Sequence, residues 1–205
     1  MKDTKQIITE KALELFNEKG IEYVGMRELA ASMDTRIGNI TYYFPTKDDL
    51  VYHLGTAYRA LNTETRAAQK VHSMESLLVL FTALYHNQVK YRCMPLSFVH
   101  LVEHNAAVAL AYKEVRIERS SANESLLRGL AMAGYLKTDD EQLGTLARSF
   151  NLISRFWLSE AIISGHHRSS LEGQIPAYIR LLANLLKPYA TAKGRRDMER
   201  FFGEQ

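Results

Sequence analysis

Within the stretch TRIGNITYYFPTKDDL, residues 35–50, the side chains of Arg36, Asn39, Thr41, Tyr42, Tyr43 and Lys47 crowd hydrogen-bonding groups and flat rings into about three helical turns. Each type suits one part of a DNA groove. Arg36 can donate bidentately to a guanine edge and Asn39 to an adenine edge, while Thr41 can meet a thymine methyl or a phosphate. Gly38 has no side chain to hold a phosphate away from the backbone. Tyr42 and Tyr43 join an apolar body to a hydroxyl, so adjacent rings can splay toward the two strands that border a groove. Taken singly, the same residues have plainer uses: tyrosines pack with a wet hydroxyl, and an arginine is most often a solvated charge.

A second set lies in HLVEH, where His100, Glu103 and His104 follow the H-x-x-E-H order of inverted zinc metallopeptidases. That chemistry needs a third zinc ligand and an open position for water, and Glu160 and Glu172, the carboxylates available for it, stand in no motif. A peptidase or a metal-binding helical protein is the alternative reading; the expectation is that these histidines are polar core or pocket groups, with no metal and no cofactor. No G-x-S-x-G, phosphate-cradling G-x-x-x-x-G-K-[ST] or C-x-x-C occurs, so no enzyme is expected. Cys93 is the single cysteine, which rules out an internal disulfide. Beside Arg92 it is either a redox-sensing thiol or an inert buried one, and the inert role is expected.

The elements that must position these groups are all helical. Ile8, Ala12, Leu15 and Phe16 fall at i, i+4, i+7 and i+8, one face of a helix from near Thr4 that stops at Gly20. Met26, Leu29, Ala30 and Met33 mark a second helix of about two turns. A third is expected over Arg36 to Tyr43, capped by Thr35 and closed before Pro45, with Ile40 and Phe44 turned inward. Thr46 and Asp49 then form a capping box for a long fourth helix carrying Leu50, Val51, Leu54, Tyr58 and Leu61. Longer helices are predicted at 74–91, 95–103, 106–133, 140–165 and 171–188, and the charged segment from Lys193 is expected to be a frayed end rather than a docking helix.

Composition limits the partners. The chain has 205 residues, 46% hydrophobic and 24% charged, which is ordinary globular content and argues against disorder. No apolar run approaches the roughly 20 residues of a membrane span, and acids interrupt the first apolar positions, so no membrane partner is expected and the compartment is the cytoplasm. The net charge of +3 names no partner, and the first 70 residues balance ten bases with ten acids. Any nucleic-acid reading rests on where the bases sit.

The order IITEKALELFNEKG, MRELAASM, RIGNITYYFPTKDDL, with its Gly38, Tyr42, Phe44 and Lys47-acid-acid-Leu50 spacing, closely resembles the tetracycline-repressor-like (TetR) family of bacterial transcription regulators. The resemblance covers residues 7–50 and implies an all-α protein: an N-terminal three-helix helix-turn-helix DNA-binding domain over 3–63, and a larger C-terminal helical domain over 64–205 that binds an effector and dimerises. It implies a homodimeric repressor whose partners are a double-stranded DNA operator and a small-molecule effector. Family members use the positions matching Arg36, Ile37, Gly38, Asn39, Thr41, Tyr42 and Tyr43, with Met26 and Lys47 beside them, for DNA; Arg27 joins these as a candidate. The chain departs from the family in Asp34, where a turn glycine is usual, in Ile37, where a base is often found, and in Thr41 and Tyr43, where tyrosine and histidine are frequent. The operator sequence therefore does not transfer.

Past residue 65 the resemblance carries no motif. By family analogy the last two long helices pair with their mates across a dimer, and Leu146, Phe150, Ile153, Trp157, Ile175, Tyr178, Leu182 and Leu185 offer apolar surface for core and interface together. A pocket is expected among the middle helices, with Tyr85, Phe98, His100, His104, Tyr112 and Trp157 as lining candidates. Their aromatic character favours a flat or hydrophobic ligand over a sugar.

Overall fold

The computed structural model describes residues 3–203, which form eleven α-helices and no strand. Helix α1 (Thr4–Lys19) buries Ile8, Ala12, Leu15 and Phe16 and ends where the Gly20 N–H donates to the Phe16 carbonyl. Gly20 sits at φ 100°, a conformation L side chains rarely adopt. Helices α2 (Met26–Ser32) and α3 (Ile37–Thr41) are short, and α4 (Lys47–Ala68) is long. The α4 start is a complete capping box, with the Thr46 Oγ1 accepting from the Asp49 N–H at 3.1 Å and Asp49 Oδ2 accepting from the Thr46 N–H at 3.0 Å. Ile40 and Phe44 are buried with Phe16, Ile21, Leu29 and Leu54 in one core, which fixes which face of α3 remains outside.

Helix α3 is shorter than its sequence suggests. Arg36, not Thr35, precedes it, and Thr35 Oγ1 instead accepts from Asn39 Nδ2 at 2.9 Å.

The body comprises α5 (Met74–Lys90), α6 (Cys93–Leu96), α7 (Phe98–His104), α8 (Ala106–Met132), α9 (Asp140–Ile163), α10 (Ile175–Leu186) and α11 (Ala192–Gly203). The helix predicted over 95–103 is broken at Ser97, whose hydroxyl donates 2.8 Å to Glu22 of the head. The one predicted from 171 begins only at Ile175, after a 3₁₀ turn over 168–174. The tail is corrected outright: α11 docks on α5, with Met198 and Phe201 buried. Its inward stripe of Gly194, Asp197, Met198 and Phe201 has helical period, and Gly194 leaves room for the Tyr135 carbonyl, which any Cβ there would strike.

Body packing centres on stacked rings. Tyr85 lies 4.7 Å from Trp157 at an interplanar angle of 12°, and Phe81 meets Phe150 edge-on at 4.5 Å. Trp157 Nε1 donates to Gln88 Oε1, and Gln88 Nε2 donates 3.0 Å to the Ser154 carbonyl, so these buried polar groups are paired. Head and body share a core boundary, since Cys93, Met94 and Leu101 pack into the head cluster. Asn17 clasps the joint: its Nδ2 donates to the Lys90 carbonyl at 2.8 Å and its Oδ1 accepts from the Cys93 N–H at 3.0 Å.

Candidate nucleic-acid interface

The turn between α2 and α3 is tight because Asp34 takes the left-handed conformation, φ 48°, and the Thr35 N–H returns to the Ala30 carbonyl at 3.0 Å. Aspartate tolerates this region better than most residues, which lets it stand where glycine would be easiest. The turn sets α3 across α2 with Ile40 inward.

What remains outside is a face that no other element covers. Arg36, Gly38 and Asn39 are exposed, Ile37 is 41% exposed and Tyr42 is 81% exposed. Ile37 does not turn back beside Ile40, so an apolar side chain is held toward the solvent. Tyr43 is half-buried against the head core and meets Tyr42 edge-on, ring centroids 5.0 Å apart at 88°. The two adjacent rings thus pack on each other at a right angle, one turned inward and the other left in solvent. Thr41 is half-buried, with its hydroxyl donating back to the Gly38 carbonyl. A Cβ on Gly38 would touch nothing in this chain, so its own packing does not require glycine there.

Flanking groups add charge. Met26 opens α2 half-buried, and Arg27 beside it is exposed. Lys47 is the first residue of α4, where orphan amides and the helix dipole already favour an anion. Burial holds the Lys47 ammonium below its ordinary pKa, partly offset by Glu22 and Asp48. An arriving phosphate would reverse that displacement.

The body holds a cavity of about 210 Å³ between α4, α5, α6, α7, α8 and α9. Of the residues expected around a pocket, Phe98 and Tyr112 line it, their rings 4.3 Å apart. Trp157 lies instead in the body core, stacked on Tyr85, and Tyr85 borders a separate recess of about 30 Å³ rather than this cavity. Burial pushes the Tyr85 hydroxyl pKa upward, the Ser154 hydroxyl opposing it. His100 and His104 are exposed, stacked on each other at 4.4 Å, with His104 Nδ1 3.0 Å from the His100 carbonyl. Glu103 is exposed beside them, and no group of three potential metal ligands forms among the described residues.

Sequence reasoning missed most of the lining: Tyr52, Tyr58, Arg59, Leu101, Arg119 and Arg155. Arg59 and Arg66 are seven apart on α4, a spacing that places them on one face, but the arginines of α8 and α9 join them only through tertiary packing. Cys93 is fully buried, and burial pushes its thiol up to about 12, the Met94 backbone and the Arg92 charge pulling weakly the other way. It is the inert thiol.

A short helix, a turn forced by a left-handed residue, and a second short helix with a bare outer face together define a helix-turn-helix protein. Family comparison agrees. The model described as "Bacterial regulatory proteins, tetR family" matches residues 8–54, and the TetR model described as "Bacterial transcriptional repressor" matches residues 58–198. The chain belongs to the TetR family. The second match runs well beyond residue 65, where no motif is legible.

Among curated proteins, the chain is similar to the probable HTH-type transcriptional regulator YttP of Bacillus subtilis (strain 168), 29% identical over 138 residues, or 65% of this chain and 60% of that protein. The chain thus spans about 60% of the length of the curated relative it matches. Among solved structures, a TetR-family transcriptional regulator from Marinobacter aquaeolei VT8 shares the fold with a TM-score of 0.88 at 19% identity, covering 100% of both chains. The TetR-family regulator PfmR from Thermus thermophilus aligns at TM-score 0.69 and 17% identity over 88% of this chain and 97% of its own. No described helix is long and apolar enough to cross a membrane.

Proposed function

We propose that this protein is a homodimeric, ligand-responsive transcription regulator, acting as a repressor on a double-stranded DNA operator in the cytoplasm. The observation that carries the reading is the outer face of α3, where Tyr42, Ile37 and Asn39 stand exposed and no neighbouring element covers them. Arg36 and Asn39 read base edges, Tyr42, Tyr43 and Lys47 hold phosphates on either side, and Met26 and Arg27 flank the groove. The working division is a DNA-binding head over 3–63 and an effector-binding, dimerising body over 64–205.

Dimerisation is supported by apolar residues left outside the body core. Leu146, Phe150, Trp157, Ile175 and Leu182 are consumed within the chain, whereas Leu152 and Ile163 on α9 and Leu181 on α10 are exposed. Half-buried Phe156 extends the α9 stripe, and Tyr178 and Leu185 extend that of α10. Two such stripes packed on their mates form a four-helix interface. Two heads then present two recognition helices, which must lie about one DNA turn, roughly 34–36 Å, apart to enter successive major grooves.

The cavity supplies the control. Met94 and Pro95 of α6 line it while Cys93 of the same helix is tied to α1 through Asn17, and α4 contributes both Lys47 to the head surface and Tyr58 to the cavity wall. A ligand that favours one seat of α6 and α4 shifts the population of head spacings. Binding of the purified chain to duplex DNA from its own upstream region should weaken linearly in log–log terms as salt rises. Binding that is absent, or indifferent to salt, rejects the proposal.

A further inference from the structure

The cavity is apolar for most of its wall, with Met94, Phe98, Leu101, Val108 and Tyr112 among its lining, yet no aspartate or glutamate faces it while three arginines do. Five of its lining residues, Tyr58, Gln88, Arg119, Ser154 and Arg155, also border a recess of about 30 Å³, so the two spaces adjoin. Arg66 completes that recess. Acid groups do not face it either.

The pairing of these cations is uneven. Arg59 is held by Glu118 at 2.9 Å, and Arg66 donates to the neutral Asn123 Oδ1 at 3.1 Å. Arg119 and Arg155 have no ion pair among the described residues. Arg155 lies 5.9 Å over the Tyr112 ring and 5.8 Å over Phe156, and its Nε is buried with no hydrogen-bond partner. Burial first, and the Arg119 charge second, pull the Arg66 guanidinium down to about 10. Half-buried neighbouring cations without a carboxylate partner repel one another, and an anion among them relieves that repulsion.

We propose that the cavity takes a small amphipathic anion, an alkyl monocarboxylate of medium length, with its carboxylate among Arg66, Arg119 and Arg155 and its chain along Phe98, Leu101 and Val108. The planar guanidinium fork matches a carboxylate, and the apolar wall excludes water from the pair. At the scale of one water's share of liquid volume, the space holds on the order of ten non-hydrogen atoms. That size admits an eight-carbon acid. Organic cations are repelled by the same arginines. The regulatory meaning of the site rests on the effector reading above; the binding itself does not.

The test is calorimetric titration of the full chain with octanoate, 1-octanol and octylammonium, which share a tail and differ in charge. Octanoate should bind at least ~10-fold more tightly than the alcohol, and octylammonium more weakly than either, since a charged hydrogen bond is worth about that factor or more. Arg119→Met should lower octanoate affinity ~10-fold or more while leaving 1-octanol within about threefold, without lowering the melting temperature. Arg155→Met should do the same, and Arg119→Met alone decides if that variant fails to fold. Equal or tighter binding of 1-octanol or octylammonium, no binding of any of the three, or variants that keep the preference for the anion would overturn the proposal. Octanoate binding as expected in a protein that never binds duplex DNA would leave the anion site standing and remove the regulator reading.

Discussion

Asn17 is a buried polar clasp between head and body. It is buried on α1, 7% exposed, and pairs two backbone groups at the α5–α6 junction: the Lys90 carbonyl at 2.8 Å and the Cys93 N–H at 3.0 Å. Substituting Asn17→Ala leaves both without a partner. Each unpaired buried group costs about 1–3 kcal/mol, so the loss should be about 2–4 kcal/mol once local relaxation is allowed. The distribution of that loss matters more than its size. The chain has one tryptophan, Trp157, fully buried in the body core, so its fluorescence follows the body alone while far-ultraviolet circular dichroism follows every helix. At fixed protein concentration the urea transitions seen by the two probes should coincide in the parent protein. In Asn17→Ala the dichroism should begin to fall at lower urea than the fluorescence, because the head melts from a body that still holds. Coincident transitions displaced by less than about 1 kcal/mol would refute the clasp as the coupling element.

Three further outcomes follow from the geometry. Lys47→Ala should weaken binding to every duplex and reduce the salt slope by about one, whereas Asn39→Ala should relax preference at one base pair at a cost of about 1–3 kcal/mol; titrations at several salt concentrations on matched and mismatched duplexes separate the two. Asp34→Gly should stabilise the head by roughly 0.5–1 kcal/mol, because relief of the left-handed backbone at φ 48° exceeds glycine's added chain entropy; unchanged or lower urea stability would contradict that balance. The Cys93 thiol, raised to about 12, is deprotonated in about one molecule in ten thousand at pH 8, so native protein should alkylate at least ~100-fold more slowly than unfolded protein, and fast native labelling would show the thiol to be accessible.

The head is the more legible half, for physical reasons. Its helices are joined by turns of a few residues, so local signals such as Gly20 at the end of α1 and the Thr46–Asp49 box act without help from distant contacts. Even there, Thr35 is not the cap its position suggests, because its hydroxyl is taken by Asn39, a side-chain choice that spacing does not determine. In the body, helix existence follows from period, but which side of each helix faces a cavity does not. Trp157 stacks on Tyr85 across the long stretch of chain between α5 and α9, and so leaves the cavity wall that its type suits, while Tyr85 borders only the small recess beside it. The arginines that do reach the cavity come from α4, α8 and α9, and each looks like a solvated charge in its own segment. The tail hides its docking because its inward stripe runs through Gly194 and Asp197, residues that read as flexible or polar yet meet a neighbouring backbone or ion pair.

The central claim is that the outer faces of two α3 helices read DNA as a symmetric pair. Selection of bound duplexes from a random-sequence pool by the purified full chain tests it most directly. The expected outcome is enrichment of an inverted repeat whose half-sites are centred about one helical turn apart, with the motif lost on substitution of Arg36 and Asn39 together. Recovery of unenriched sequence at low salt, or of a single asymmetric site unaffected by those substitutions, would contradict it.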